Sequence, residues 1–194
     1  MASSTLTELD ERFYSWGFGK PAPLPFDAIH HAFEVHAQRQ PDAIAVEHMD
    51  ERMSFRQLDA AANRLAHRLR KQGVLPGTRV CLLVQRGIPM VVAILATIKA
   101  GAAYVPLDGG IVTDSTLDHV LTDSAAILTL ATEAFLPRVV GRNHICLEHA
   151  ITQDAATNAD CSKPPDLSSP RDGVYVIYTS GPFTTTVIRY TTPD

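Results

Sequence analysis

Hydrophobic positions along the chain alternate between strand-like runs and helix-like periodicity. Short apolar runs, typical of buried strands, are separated by segments in which apolar residues recur every three or four positions. This pattern predicts strands at 43–46, 80–84, 103–107, 126–130, 144–147 and 174–178, and helices at 27–40, 54–72, 88–100 and 115–122. The alternation indicates an α/β fold: a layered, mostly parallel sheet with flanking helices.

Local signals mark several boundaries of these elements. Ser54 and Gln57 have the spacing of a capping box, and Gly73 follows the same helix at the C′ position. Asp27 is the predicted N-cap of the first helix. The segment Thr152–Asp172 is polar and proline-rich, which predicts a surface loop.

Composition excludes several classes of protein. The chain has 194 residues, 45% of them hydrophobic, which is enough for one domain or a large piece of one. The formal net charge is −4, and the sequence shows no basic patch or stripe of the kind that binds nucleic acid. The longest apolar run, Val91–Ile98, is too short to cross a bilayer, and no signal peptide precedes it.

The cysteines and histidines offer no recognisable metal or disulfide pattern. An odd number of cysteines without a C-x-x-C spacing predicts free thiols and a cytoplasmic chain; these are Cys81, Cys146 and Cys161. Cys81 is expected to pack as a small apolar residue in a central strand. No established ligand spacing fits the group His144, Glu148 and His149. The first helix is expected to expose three histidines in part: His30, His31 and His36.

The last predicted strand runs directly into Thr179-Ser180-Gly181. Backbone N–H groups and hydroxyls can cradle phosphate oxygens at such a turn, and glycine lets the backbone approach closely. In parallel sheets, ligands bind beyond the carboxyl ends of the strands. The three residues are therefore the candidate nucleotide-phosphate contacts. Pro182, which follows, has no N–H to donate, and the nearest cation along the chain is Arg189.

Four ordered segments resemble the amino-acid adenylation domains of nonribosomal peptide synthetases, in the adenylate-forming superfamily. They are Gln40–Val46, Ser54–Ala66, Ile98–Asp108 and Val174–Gly181. The resemblance, which has a fungal, multimodular character, covers about residues 24–181. It implies part of the N-terminal subdomain of the adenylate-forming enzyme fold, with a flexible leader at 1–23 and a divergent tail at 182–194.

The resemblance also implies an activity. Family members use MgATP to convert an amino acid to an aminoacyl adenylate and pyrophosphate, then pass the acyl group to a carrier protein's phosphopantetheine. Thr179, Ser180 and Gly181 match the start of the family's phosphate loop, Tyr-Thr-Ser-Gly-Thr-Thr-Gly-x-Pro-Lys-Gly. The rest of that loop is absent, so the domain is expected to be truncated within it. No catalytic residue and no metal ligand is assigned, and we expect the chain alone to be inactive and to bind neither ATP nor magnesium.

Two alternatives stay open at this point. The chain is also compatible with a non-catalytic interaction module that docks on a synthetase or another protein. We also expect self-association, because a partial domain leaves apolar faces and sheet edges uncovered. A dinucleotide-binding fold ranks last, because no G-x-G-x-x-G follows any predicted strand.

Overall fold

The structure, a computed structural model, describes residues 25–157 and 159–178 and the backbone of 185–189. The predicted leader at 1–23 and the Thr179–Gly181 turn lie outside the described residues. The helices are α1 Ile29–Arg39, α2 Phe55–Lys71, α3 Ile88–Ala100, α4 Asp114–Asp123 and α5 Leu147–Ala156, with a 3₁₀ helix at Glu133–Val139. The strands are β1 Ile44–His48, β2 Glu51–Ser54, β3 Arg79–Val84, β4 Ala103–Asp108, β5 Leu128–Ala131, β6 His144–Cys146, β7 Gly173–Tyr178 and β8 Thr185–Arg189.

The predicted α/β architecture is confirmed. Six strands form one sheet in the order β6-β5-β3-β4-β7-β8. All neighbours are parallel except β7 and β8, which form an antiparallel pair. A separate antiparallel hairpin joins β1 to β2 through a turn in which Met49 has a φ of 54°.

Alternating residues of the central strand β3 enter two different cores. Leu82 belongs to the larger core, which α2, α3 and α5 cover. Cys81 and Leu83 belong to the core beneath α4 and the 3₁₀ helix. Helices therefore lie on both faces of the sheet, as parallel strands require. Cys81 is fully buried, as predicted, and desolvation raises the pKa of its thiol to about 12.

The capping signals of α2 are confirmed at both ends. The Ser54 hydroxyl accepts a hydrogen bond from the Gln57 N–H at 3.3 Å, and the Gln57 side chain accepts one from the Ser54 N–H at 2.8 Å. At the other end Gly73 has a φ of +84°, and Val74 donates its N–H to the Leu69 carbonyl. These bonds form a Schellman motif and satisfy carbonyls that the helix leaves free.

Two predicted boundaries are wrong. The N-cap of α1 is Ala28 rather than Asp27, and no side chain caps this helix. The strand predicted at 144–147 ends at Cys146, and α5 begins at Leu147 and extends into the segment expected to be a loop. Leu147, Ala150 and Ile151 have the spacing of a helix. These apolar residues span only about one turn, which is too short a stretch to predict a helix from the sequence.

The rest of the predicted loop crosses the helical layer as an extended segment, residues 159–172, which we call the strap. Its backbone carbonyls accept hydrogen bonds from α2: Arg64 binds Ala159, and Asn63 binds Cys161 at 3.0 Å. Arg68 of the same helix pairs with the buried Asp154 of α5. The basic residues of α2 thus hold neighbouring segments in place instead of forming a freely solvated face.

A buried group of charges joins α1, α2, α3 and the strap. The Lys99 ammonium lies 2.6 Å from a Glu34 oxygen and 3.0 Å from an Asp59 oxygen, with only 2% of the Lys99 side chain exposed. Lys163 of the strap binds the other Glu34 oxygen at 2.6 Å. Desolvation raises the pKa of Glu34, but the hydrogen bonds from Lys163 and Lys99 outweigh it and leave that pKa below its usual value.

Candidate nucleotide-phosphate site

The predicted phosphate-binding turn follows a strand that ends at the carboxyl edge of the sheet. β7 lies beside β4 in parallel and ends at Tyr178, which immediately precedes Thr179, Ser180 and Gly181. β8 returns antiparallel, with Thr185 opposite Tyr178. Residues 179–184 therefore connect two adjacent strands at the edge where parallel sheets bind their ligands.

The end of β7 is anchored in the core beneath α4. Val176 is buried with Val105 and Val120 in a small cluster, against which Tyr178 packs. The Tyr178 hydroxyl donates a hydrogen bond to Asp123 at 2.6 Å. The last described residue before the turn is thus held in a defined place, and its hydroxyl contacts a carboxylate.

An arginine holds the neighbouring turn after β4. Arg138 donates hydrogen bonds of 2.7 Å to the carbonyls of Gly109 and Val112 and to the Asp114 carboxylate. Close contact with the Phe135 ring requires glycine at 109, because an added Cβ would lie 2.2 Å from ring carbons. Glycine at position 109 therefore fits the aromatic side chain beneath the turn.

Two cations of the described residues lie after strands at this edge: Arg86 follows β3 and is exposed, and Arg138 contacts the turn after β4. Arg138 is already committed to two carbonyls and a carboxylate. Residues 179–184 read Thr-Ser-Gly-Pro-Phe-Thr and include no lysine or arginine. Arg189 pairs with Gly173 in the backbone register, at the opposite end of β7 from the turn. Five strand residues place it about 17 Å away along the strand.

One of the three histidines of α1 departs from its expected partial exposure, whereas His31 is partly exposed and His36 is exposed. His30 is buried, not partly exposed, with a relative exposure of 4%. Desolvation lowers its pKa to about 4, with a further lowering by the adjacent His31. His149 lies in α5, and the carboxylate of Glu148 accepts a hydrogen bond from the Glu133 N–H at 3.0 Å.

Several site contacts carried no signal in the sequence. Asp123 meets Tyr178 across 55 positions of the chain, and Arg138 reaches the β4 turn across 29. Neither residue has a neighbour in sequence that points to such a role. Both contacts join segments that are distant in sequence and that meet only in the folded chain.

Comparison with known proteins gives consistent matches over most of the chain. The family described as "AMP-binding enzyme" matches residues 33–186. Adenylate-forming reductase 03009 of Coprinopsis cinerea is 44% identical over 171 residues, which cover 87% of this chain and 17% of the relative. N-(5-amino-5-carboxypentanoyl)-L-cysteinyl-D-valine synthase of Penicillium rubens is 33% identical over 175 residues, which cover 88% of this chain and 5% of the relative.

Solved structures share the fold. The nonribosomal peptide synthetase FmoA3 in its AMPPNP-bound form matches with a TM-score of 0.81 and 24% identity. The match covers 95% of this chain and 19% of FmoA3. The chain thus spans less than a fifth of the length of the curated relatives and of the structure it resembles.

Proposed function

Because the chain belongs to the AMP-binding enzyme family, we propose that it is the first part of an amino-acid adenylation domain of nonribosomal peptide synthesis. In the whole domain, ATP and an amino acid react to form an aminoacyl adenylate and pyrophosphate. Within this chain, Thr179, Ser180 and Gly181 would form the first turn of the phosphate loop. We propose the same domain limits as the sequence predicts: 1–23 as leader, 24–181 as adenylation domain and 182–194 as tail.

The observation that carries this proposal is the position of β7. The strand is parallel to β4, ends at the carboxyl edge of the sheet and leads directly into the Thr-Ser-Gly sequence. Backbone N–H groups at turns of this kind can donate hydrogen bonds to anionic oxygens. The antiparallel register places Thr185 of β8 opposite Tyr178 of β7.

The whole protein would need further components. Magnesium would accompany ATP, and a carrier protein's phosphopantetheine would receive the acyl group. We propose a cytoplasmic location, and no helix among the described residues is long and apolar enough to cross a membrane. Nucleic acid is not an expected partner, because the chain is acidic.

We further propose that this chain does not adenylate an amino acid by itself. Residues 179–184 supply no cation, and Pro182 lacks an N–H group. Each missing charge-assisted hydrogen bond costs about 1.5–3 kcal/mol of phosphate binding. Loss of two or three such bonds is enough to weaken ATP binding by about two orders of magnitude or more.

The test compares the chain with a loop-restored variant. In that variant Pro182-Phe183-Thr184 is replaced by Thr-Thr-Gly-Lys-Pro-Lys-Gly, which completes the family's loop between β7 and β8. We expect magnesium-dependent binding of a fluorescent ATP analogue to be at least tenfold tighter in the restored variant. A control replacement of the same length made of glycine and serine should bind no better than the original. Tight, magnesium-dependent ATP binding by the unaltered chain, or amino-acid-dependent ATP–pyrophosphate exchange, would refute the proposal of inactivity.

A second candidate function is favoured by the sequence identities. The reductase of Coprinopsis cinerea is 44% identical, compared with 33% for the peptide synthase of Penicillium rubens. This chain would then belong to the adenylate-forming part of a reductase, of which it would form only a section. Sequencing the native transcript beyond the codon of Asp194 distinguishes the two. A following reductase domain supports this candidate, whereas peptide-forming modules support the first.

A further inference from the structure

Two histidines of α1 and an aspartate of the strap converge outside the nucleotide-phosphate site. One nitrogen each of His30 and His31 and one oxygen of Asp166 lie within 4.8 Å of one another. The His31 Nε2 is 2.6 Å and the His30 Nε2 3.7 Å from oxygens of Asp166. These donors come from positions 135 residues apart, so no local turn explains their meeting.

The geometry is close to that of a metal site. Zn²⁺ binds imidazole nitrogen and carboxylate oxygen at about 2.0–2.2 Å, so ligand atoms of a tetrahedral site lie about 3.3–3.5 Å apart. The separations of 2.6 Å to His31 and 3.7 Å to His30 lie on either side of that spacing, and no two of the three ligand atoms are more than 4.8 Å apart. The mixed nitrogen and oxygen donor set suits Zn²⁺ and Co²⁺ better than Mg²⁺ or Ca²⁺, which prefer oxygen ligands only.

The carboxylate is held in place by its own segment. Asp166 accepts hydrogen bonds from the Ser168 N–H at 3.0 Å and the Ser168 hydroxyl at 2.6 Å, both on the same oxygen. The other oxygen faces His31. Such outer partners orient a metal ligand before the ion arrives, which is a general feature of metal sites.

A small cavity adjoins one of the three proposed ligands, His30. A cavity of about 30 Å³ is lined by His30, Ser168, Ser169 and Asp172, among others. A water molecule needs about 10–15 Å³ by the same measure, together with polar partners, and this cavity offers both. A water could therefore occupy the cavity beside His30.

We propose that His30, His31 and Asp166 bind a divalent transition metal, with Zn²⁺ favoured by the donor set. The ion fastens the strap to α1 and thereby stabilises the helical layer. The site is separate from the phosphate-binding turn, and the proposal does not depend on ATP binding. Because the sequence alone places these residues far apart, it predicts no metal site here.

The test measures metal binding by the full chain without a histidine tag. We expect isothermal titration calorimetry to detect one Zn²⁺ per chain, a Zn²⁺-dependent rise in melting temperature, and intense visible absorption bands of tetrahedral Co²⁺. The variants His31→Ala and Asp166→Asn should each bind Zn²⁺ at least tenfold more weakly, since loss of a ligand costs no less than loss of an outer partner. Both changes are at partly exposed side chains, and circular dichroism verifies that each variant is folded.

Two matched controls make the result specific. His36→Ala removes an exposed histidine from the same helix, and Cys161→Ser removes the exposed thiol of the strap. Both should leave the Zn²⁺ affinity and the Co²⁺ spectrum unchanged. If the unaltered chain binds no Zn²⁺, or if His36→Ala weakens binding as much as His31→Ala, the cluster is an ordinary histidine–carboxylate ion pair and the proposal is wrong.

Discussion

Replacing Lys99 with methionine should destabilise the chain far more than replacing an exposed arginine. The Lys99 ammonium contacts Glu34 and Asp59, and 2% of its side chain is exposed. Methionine keeps the length of the side chain but removes the charge, so two carboxylates lose their buried partner. Breaking one side of a buried ion pair costs about 3–5 kcal/mol.

The expected loss lies at the lower end of that range. Lys163 still binds Glu34 in the variant, and about a quarter of the Asp59 side chain is accessible to water. We therefore expect the free energy of unfolding to fall by about 3 kcal/mol. For a chain of this size, that loss corresponds to a fall in melting temperature of about 6–12 °C.

Urea denaturation, followed by far-ultraviolet circular dichroism, measures the loss. Arg56→Ala is the matched control, because the Arg56–Asp42 pair has side chains that are 64% and 83% exposed and should be worth at most about 1 kcal/mol. The double variant Lys99→Met with Glu34→Met removes both buried charges of the closest pair and should recover part of the stability. If Lys99→Met costs no more than Arg56→Ala, the reasoning about the buried network is refuted.

Two further predictions concern the β4 turn and acid stability. Gly109→Ala should lower the free energy of unfolding in urea by about 1–3 kcal/mol, because the new Cβ overlaps the Phe135 ring. Gly87→Ala is the control, because a Cβ there meets only ordinary contacts. Equal losses of stability in the two variants would contradict the prediction. The penalty of Glu34→Gln should be largest above pH 4.5, the ordinary pKa of the carboxyl, and should shrink as the pH falls through the lower folded-state value. A penalty that does not vary with pH would show that the hydrogen bonds from Lys99 and Lys163 are not charge-dependent.

The parts of the fold that the sequence predicts correctly are those with local causes. α2 carries its capping box, its apolar spacing and its C-terminal glycine within one continuous segment, and α3 is predicted to the residue. The alternation of helices and strands also identifies the parallel sheet. These features depend on neighbours in sequence, so one chain without an alignment is sufficient to find them.

The missed features depend on contacts between distant segments. α5 contains Asp154, a polar residue whose burial makes sense only beside Arg68, 86 positions earlier. His30 is buried because the strap returns over α1, and Asp166 of that strap is 135 positions from His31. Polar residues in such places resemble loop residues until tertiary structure pairs them.

The order of strands in the sheet has a consequence for synthesis of the protein. β4 is made long before its neighbour β7, because 65 residues separate Asp108 from Gly173. At translation rates of about 5–20 residues per second, one edge of β4 stays open for about 3–13 s while β3 already covers the other. During that interval the nascent chain presents unpaired backbone groups on an apolar strand. This edge is where a chaperone, or the same strand of a neighbouring nascent chain, would bind first.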